Sequence, residues 1–187
     1  QMETEEGTDE ILAVPGVSVS VERVNLQYSD PWTEVDGQRS EMNTPHPFLT
    51  DIAVRKAIYH GVNRQQIVDA FYGAGNEVAT NIVYGDEPVI STSTAYEYDP
   101  ELAVQILEEA GWMLNDSGVR EKDGVQLDVI YATSVNAVRQ KIQSVVKANL
   151  EEIGFRIQLE QIDSGLYFDA SAGNEEHIYH FYWDFNQ

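Results

Sequence analysis

The chain has 187 residues, 42% of them hydrophobic, enough for a well-packed core. Its formal charge is −21, from 32 Asp and Glu against 11 Lys and Arg. A field of that sign repels phosphate backbones and anionic membranes, so nucleic acid is not an expected partner. With no cysteine, disulfides, thiolate metal sites and a Cys nucleophile are excluded.

Gln1 to Glu10 is a polar, acidic opening expected to fray, with no signal-peptide pattern. Val17, Val19 and Val21 alternate with serines, and Val24, Leu26 and Tyr28 resume the two-residue period of an extended strand. Asp30-Pro31 and Asp36-Gly37 punctuate a polar loop that runs to Pro45 and Pro47. A helix is expected after Phe48, capped by Thr50 or Asp51 and carrying Ile52, Val54, Ala57 and Ile58, with Gly61 interrupting it. Asn63 can cap a second helix bearing Ile67, Val68, Ala70 and Phe71, which Gly73 ends. Residues 73–97 read as an irregular, functional or wrapped loop. Asp99-Pro100 opens a third helix, its apolar face built from Leu102, Ala103, Ile106, Leu107 and Ala110, and Gly111 closes it.

Two turns follow, Asp116-Ser117-Gly118 and Lys122-Asp123-Gly124. Val125 to Ala132 then reads as a strand, and Val138, Ile142, Val145, Val146, Leu150 and Ile153 as the stripe of a helix that Gly154 terminates. Phe155, Ile157 and Leu159 alternate with polar residues as a second strand. Strand, helix, strand at this length implies a parallel crossover and an α/β class. Asp163 caps a short helical turn, and Ile178 to Phe185 is aromatic and strand-like. The absence of an initiator Met and the aromatic strand at the end lead to the expectation of a piece of something longer, any targeting signal lying outside it.

Four phrases, in this order, resemble the peptide, dipeptide and nickel class of ABC importer binding proteins. They are Pro47-Phe48-Leu49-Thr50-Asp51 through Val54-Arg55 to Ala57 with Asn63-Arg64 beyond; Tyr98-Asp99-Pro100-Glu101-Leu102-Ala103 to Ala110-Gly111-Trp112; Gly118-Val119-Arg120-Glu121-Lys122-Asp123-Gly124; and Leu150-Glu151-Glu152-Ile153-Gly154-Phe155. Each alone is capping and turn chemistry; the ordered set is specific. The early piece Val21 to Leu26 also fits. The resemblance implies one lobe of a two-lobed, periplasmic-binding-protein-like fold, with a mixed sheet and flanking helices. It implies that residues 1–187 are most of the second lobe, and that a solute lies between it and a first lobe elsewhere in the same protein.

The resemblance also implies a site. In the peptide-binding relatives an Asp after an aromatic strand holds the ligand's ammonium group, since a partly desolvated cation needs a fixed carboxylate. Asp184 is the nearest match, with Trp183 and Phe181 beside it, although the family's Trp-to-Asp spacing is shifted here. The opposing reading packs Tyr179, Phe181 and Trp183 on one face and leaves Asp184 simply exposed. Arg55 reads as a helix-start residue pairing with a carboxylate, and Trp112 as packing beyond a helix end. His177 and His180 fall on opposite faces of a strand, and His46 and His60 stand apart, so no metal is expected. Asn115-Asp116-Ser117-Gly118 lacks the alternating ligands of a calcium loop. No nucleophile elbow, zinc helix or P-loop is present. The expected function is therefore binding of a peptide-like solute and its delivery to an ABC transporter permease outside the cytoplasm, with no reaction and no cofactor. The alternatives are a hydrolase using paired carboxylates and a ligand sensor that does not transport.

Overall fold

Four strands carry the core because the central one is paired and covered on both sides. The computed structural model describes residues 2–4, 11–13, 22–37, 41, 43–73, 75–80, 97–169 and 183–187. The chain groups into two compact units, Gln1–Glu22 with Asn63–Tyr96, and Arg23–Val62 with Glu97–Gln187.

In the first unit, β1 (Met2–Thr4) pairs antiparallel with β2 (Ile11–Ala13), Glu3 opposite Leu12. The opening expected to fray thus contributes a strand at Met2–Thr4. Helix α2 (Arg64–Phe71) starts where Asn63 accepts from the Gln66 amide at 3.0 Å. It buries Ile67, and the chain leaves it through Gly73 at φ 72°.

The second unit holds strand β3 (Asn25–Leu26) and helix α1 (Ile52–Gly61), capped by Asp51, whose carboxylate accepts from the Ala53 amide at 2.9 Å. Val54, Ala57 and Ile58 form the buried face of α1, while Ile52, expected inside, is 57% exposed. Arg55 donates to the Leu49 carbonyl at 2.7 Å, a carbonyl rather than the carboxylate expected for it. Helix α3 (Pro100–Glu109), started by Asp99 and its proline, packs Ala103 and Leu107 inward. The turns at Gly118 and Gly124 are hairpins of a sheet the hydrophobic pattern did not announce: β4 (Met113–Leu114), β5 (Arg120–Lys122) and β6 (Val125–Gln126) in that order. Their strands are two or three residues long, too short to display a period.

The strand expected from Val125 to Ala132 divides at Leu127, its first two residues forming β6 and the rest joining another sheet, while the helix and strand after it follow the sequence reading. β7 (Asp128–Ser134) is parallel to β8 (Arg156–Ile162), Tyr131 opposite Leu159, and α4 (Ala137–Glu152) connects them from its Asn136 cap. β9 (Phe185–Asn186) runs parallel to β7 on its other side and antiparallel to β3, giving the order β3-β9-β7-β8. Central β7 buries Tyr131, Ala132, Thr133 and Ser134 consecutively, as a strand covered on both faces does. Leu127, Val129, Ile142, Val146, Leu150, Ile153 and Ile157 fill the layer between sheet and α4, each contributing about 1.5–3 kcal/mol by leaving water. Gln143, fully buried, donates to the Tyr131 carbonyl at 2.9 Å and the Glu160 carbonyl at 3.2 Å, and accepts from Gln161.

Arg120 ties the ends of two helices together. Its side chain is buried; Nε donates to the Ile153 carbonyl at 2.8 Å and Nη1 to the Trp112 carbonyl at 2.7 Å, with Glu108 beside Nη2. A guanidinium there satisfies carbonyls just past the ends of α3 and α4 and opposes the negative ends of both helix dipoles. Gly154 makes the fit possible: its φ is 97°, and a Cβ would lie 2.7 Å from Arg120 Cγ. Finally, Asp163 caps the single turn α5 (Ser164–Tyr167) after β8.

Candidate functional site

Asp184 stands at the head of β9, where the ladder needs an acceptor. Its own amide donates to the Ile130 carbonyl at 3.1 Å and its carbonyl accepts from Gln27 at 2.8 Å, linking β7 to the β3 side. The Ile130 amide then finds no main-chain carbonyl in β9 and donates instead to Asp184 Oδ2 at 2.6 Å. The side chain thus stands in for a strand residue. At 2% exposure its charge is held by donors rather than water.

The other carboxylate oxygen is shared by two rings from the loop before α1. Ser29 and Pro45 form a bridge, flanked by Asp30 N to Thr44 O at 2.7 Å and His46 N to Tyr28 O at 2.8 Å, which pinches the loop at its neck. Prolines on both sides of His46 restrict its backbone. Its ring is fully buried, and Nδ1 accepts from the amides of Phe48 at 3.3 Å and Leu49 at 3.0 Å. An Nδ1 that accepts leaves the proton on Nε2, which donates to Asp184 Oδ1 at 2.8 Å. Trp32 Nε1 donates to the same oxygen at 2.9 Å. Asp30 folds the segment that carries Trp32: its Oδ1 accepts from the amides of Trp32 at 2.8 Å and Thr33 at 3.2 Å, and Oδ2 from the Thr33 hydroxyl. Burial works against ionisation of Asp30, but the Thr33 hydroxyl and the two amides outweigh it and hold the carboxyl below its usual value.

Of the residues marked in the sequence, Asp184 is therefore not the exposed carboxylate of the packed-face reading; the sheet's need for an acceptor at Ile130 draws it inside. Trp183 is half-buried beside it, and Phe181 lies outside the described residues, as do Tyr179, His177 and His180. His46 and Trp32 were not singled out as partners of Asp184. The local signals were the Pro-His-Pro run and the Asp-Pro-Trp-Thr turn, but nothing local links them to a residue 138 and 152 positions away. Among the described residues no group of three or more His, Asp or Glu is placed to hold a metal.

A second cluster lies where α1 meets the β5–β6 hairpin. A pocket of about 150 Å³ is lined by Pro47, Asp51, Trp112, Lys122, Asp123 and Val125. Trp112 Nε1 donates to Asp51 Oδ2 at 3.1 Å, and Lys122 Nζ lies 3.5 Å from that oxygen and 5.7 Å from the centre of the indole. Burial again opposes ionisation of Asp51, and the Ala53 amide, Trp112 and Lys122 together hold its carboxyl below the usual value. Asp51, Trp112 and Lys122 are spent on one another, which makes this a joint between elements. The sequence reading of Trp112 as packing beyond a helix end agrees with its burial against Phe48, ring centres 6.4 Å apart.

The residues at this fold's strand ends have relatives. The profile of the bacterial extracellular solute-binding proteins, family 5 Middle, matches residues 12–186. The chain is 28% identical over 147 residues to the nickel-binding periplasmic protein of Escherichia coli, covering 76% of this chain and 28% of that protein. It is 29% identical over 130 residues to the oligopeptide-binding protein AppA of Bacillus subtilis, covering 65% and 23%. Among solved structures, the oligopeptide-binding protein of Thermus thermophilus complexed with a pentapeptide superposes with a TM-score of 0.58 at 28% identity, covering 64% of this chain and 21% of that one. The chain spans between 22% and 28% of the length of the curated protein of Brucella ovis and the Escherichia coli protein it matches. The α/β class and the binding-protein-like architecture read from the sequence are those of these structures.

Proposed function

We propose that this chain, which belongs to the bacterial extracellular solute-binding proteins of family 5, forms most of one lobe of a two-lobed receptor that closes over a peptide-like solute and hands it to an ABC transporter permease. The observation that carries this reading is the family match over residues 12–186. No helix among the described residues is long and apolar enough to cross a membrane. The reading places the protein outside the cytoplasm, periplasmic or anchored at the cell surface, with binding and not turnover as its activity.

Within the lobe we assign solute contact to the start of β9, where Trp183 and Asp184 stand and Phe181 precedes them. Asp184 is itself buried and its oxygens take three N–H donors, so it would act by holding the strand end and Trp32 in place while the half-buried Trp183 meets the solute. The test uses the whole protein, purified without denaturation. Native mass spectrometry should find a co-purified solute at one per chain, and calorimetry with a peptide pool should show saturable binding. Peptides, esters and glycosides should come back unchanged. Turnover that survives repurification would replace the receptor with a carboxylate-dependent hydrolase.

A further inference from the structure

Trp32 is turned the opposite way from an ordinary surface indole. A tryptophan at a surface usually lays its ring on the protein and leaves its N–H to water. Here the N–H points inward to the buried Asp184 carboxylate, while the residue remains 41% exposed. Both ends of its position are set beforehand: the peptide nitrogen is held by Asp30 Oδ1, and the indole nitrogen by Asp184 Oδ1. Asp184 is in turn fixed by His46 and by the Ile130 amide. An aromatic presented in this way has already lost the rotamer freedom that binding would otherwise cost.

Its chemistry is also biased. An N–H that donates to a carboxylate is polarised, which leaves more electron density on the ring. A ring so loaded attracts a cation over its face more strongly. Asp30, Glu34 and Asp36 lie on the same short segment, the last two exposed, and Tyr28, 68% exposed, stands at the neck of the loop. Carboxylates and aromatic rings on one segment suit a guanidinium or ammonium group and repel an acidic one.

Resting on the solute-binding reading above, we propose that Trp32 is a specificity residue whose exposed ring receives a cationic side chain of the solute. The experiment compares two peptides that differ in charge alone, Ala-Arg-Ala-Ala and its citrulline counterpart, by calorimetry on the whole protein and on its Trp32→Leu variant. Wild type should prefer the arginine peptide by about three- to tenfold. Trp32→Leu should bring that ratio close to one, whereas a purely structural role would weaken both peptides alike and leave the ratio standing. A wild-type ratio of one, or a ratio unchanged by Trp32→Leu, overturns the assignment while leaving solute binding intact. Wild type that binds neither peptide removes the peptide reading, and the role of Trp32 with it.

Discussion

Replacing Asp184 by Asn tests the hub with the smallest change of shape. The carboxylate accepts three N–H groups, two on Oδ1 and one on Oδ2. An Asn can keep its oxygen toward Trp32 and His46, but its amide nitrogen then faces the Ile130 N–H, donor against donor. The stranded buried amide costs about 1–3 kcal/mol, and two charge-assisted bonds become neutral ones at roughly 1 kcal/mol each. We expect a loss of about 3–5 kcal/mol in urea unfolding, seen as a lower midpoint at unchanged slope. Hydrogen exchange at the Ile130 amide should accelerate by more than at Val129. Trp32→Phe should cost less, and the double variant should lose less than the sum, since Trp32→Phe removes a bond that Asp184→Asn has already weakened. A change below about 1 kcal/mol with Ile130 still protected would mean that the carboxylate does not hold the strand end as described.

Two further substitutions probe the joints that place this site. Arg120→Met, of similar volume, leaves the Trp112 and Ile153 carbonyls without their buried donors and should cost about 3–5 kcal/mol; Arg120→Lys should recover part of that, because one ammonium cannot reach both carbonyls as the fork does. A thermal melt in which Arg120→Met equals wild type would refute the helix-end role. For Asp51 the folded carboxyl is held below its unfolded value, so its contribution is present above the unfolded pKa of about 3.9 and lost as pH falls through the folded one. Asp51→Asn should therefore lower stability near neutrality by about 1 kcal/mol and flatten its decline below about pH 4. An acid limb as steep as that of wild type would assign the sensitivity to other carboxylates.

Local signals announced much of the scaffold. Asp51, Asn63, Asp99 and Asp163 each cap the helix expected of them, and Gly73, Gly111 and Gly154 take the positive φ that ends a helix. Periodicity separated β7, α4 and β8, because seven-residue strands and a sixteen-residue helix are long enough to show their period. These are effects of neighbours within about a turn of one another, and they are written in consecutive residues. The order of four capping and turn phrases was enough to reach the family.

What decided the rest was contact between distant segments. β4 and β5 are too short to carry a period, β6 reads as the start of the strand after it, and of this sheet's connections only the two turns are legible. Asp184 read equally as a ligand anchor or as an exposed acid, since a carboxylate after aromatic residues has no pattern of its own. Its burial follows from the parallel pairing of β9 with β7, which brings the Ile130 amide to its side chain. His46 and Trp32 join it because the Ser29–Pro45 bridge returns the loop to that point. A side chain's partner across 138 residues is fixed by strand order and register, and those are set only when the core closes.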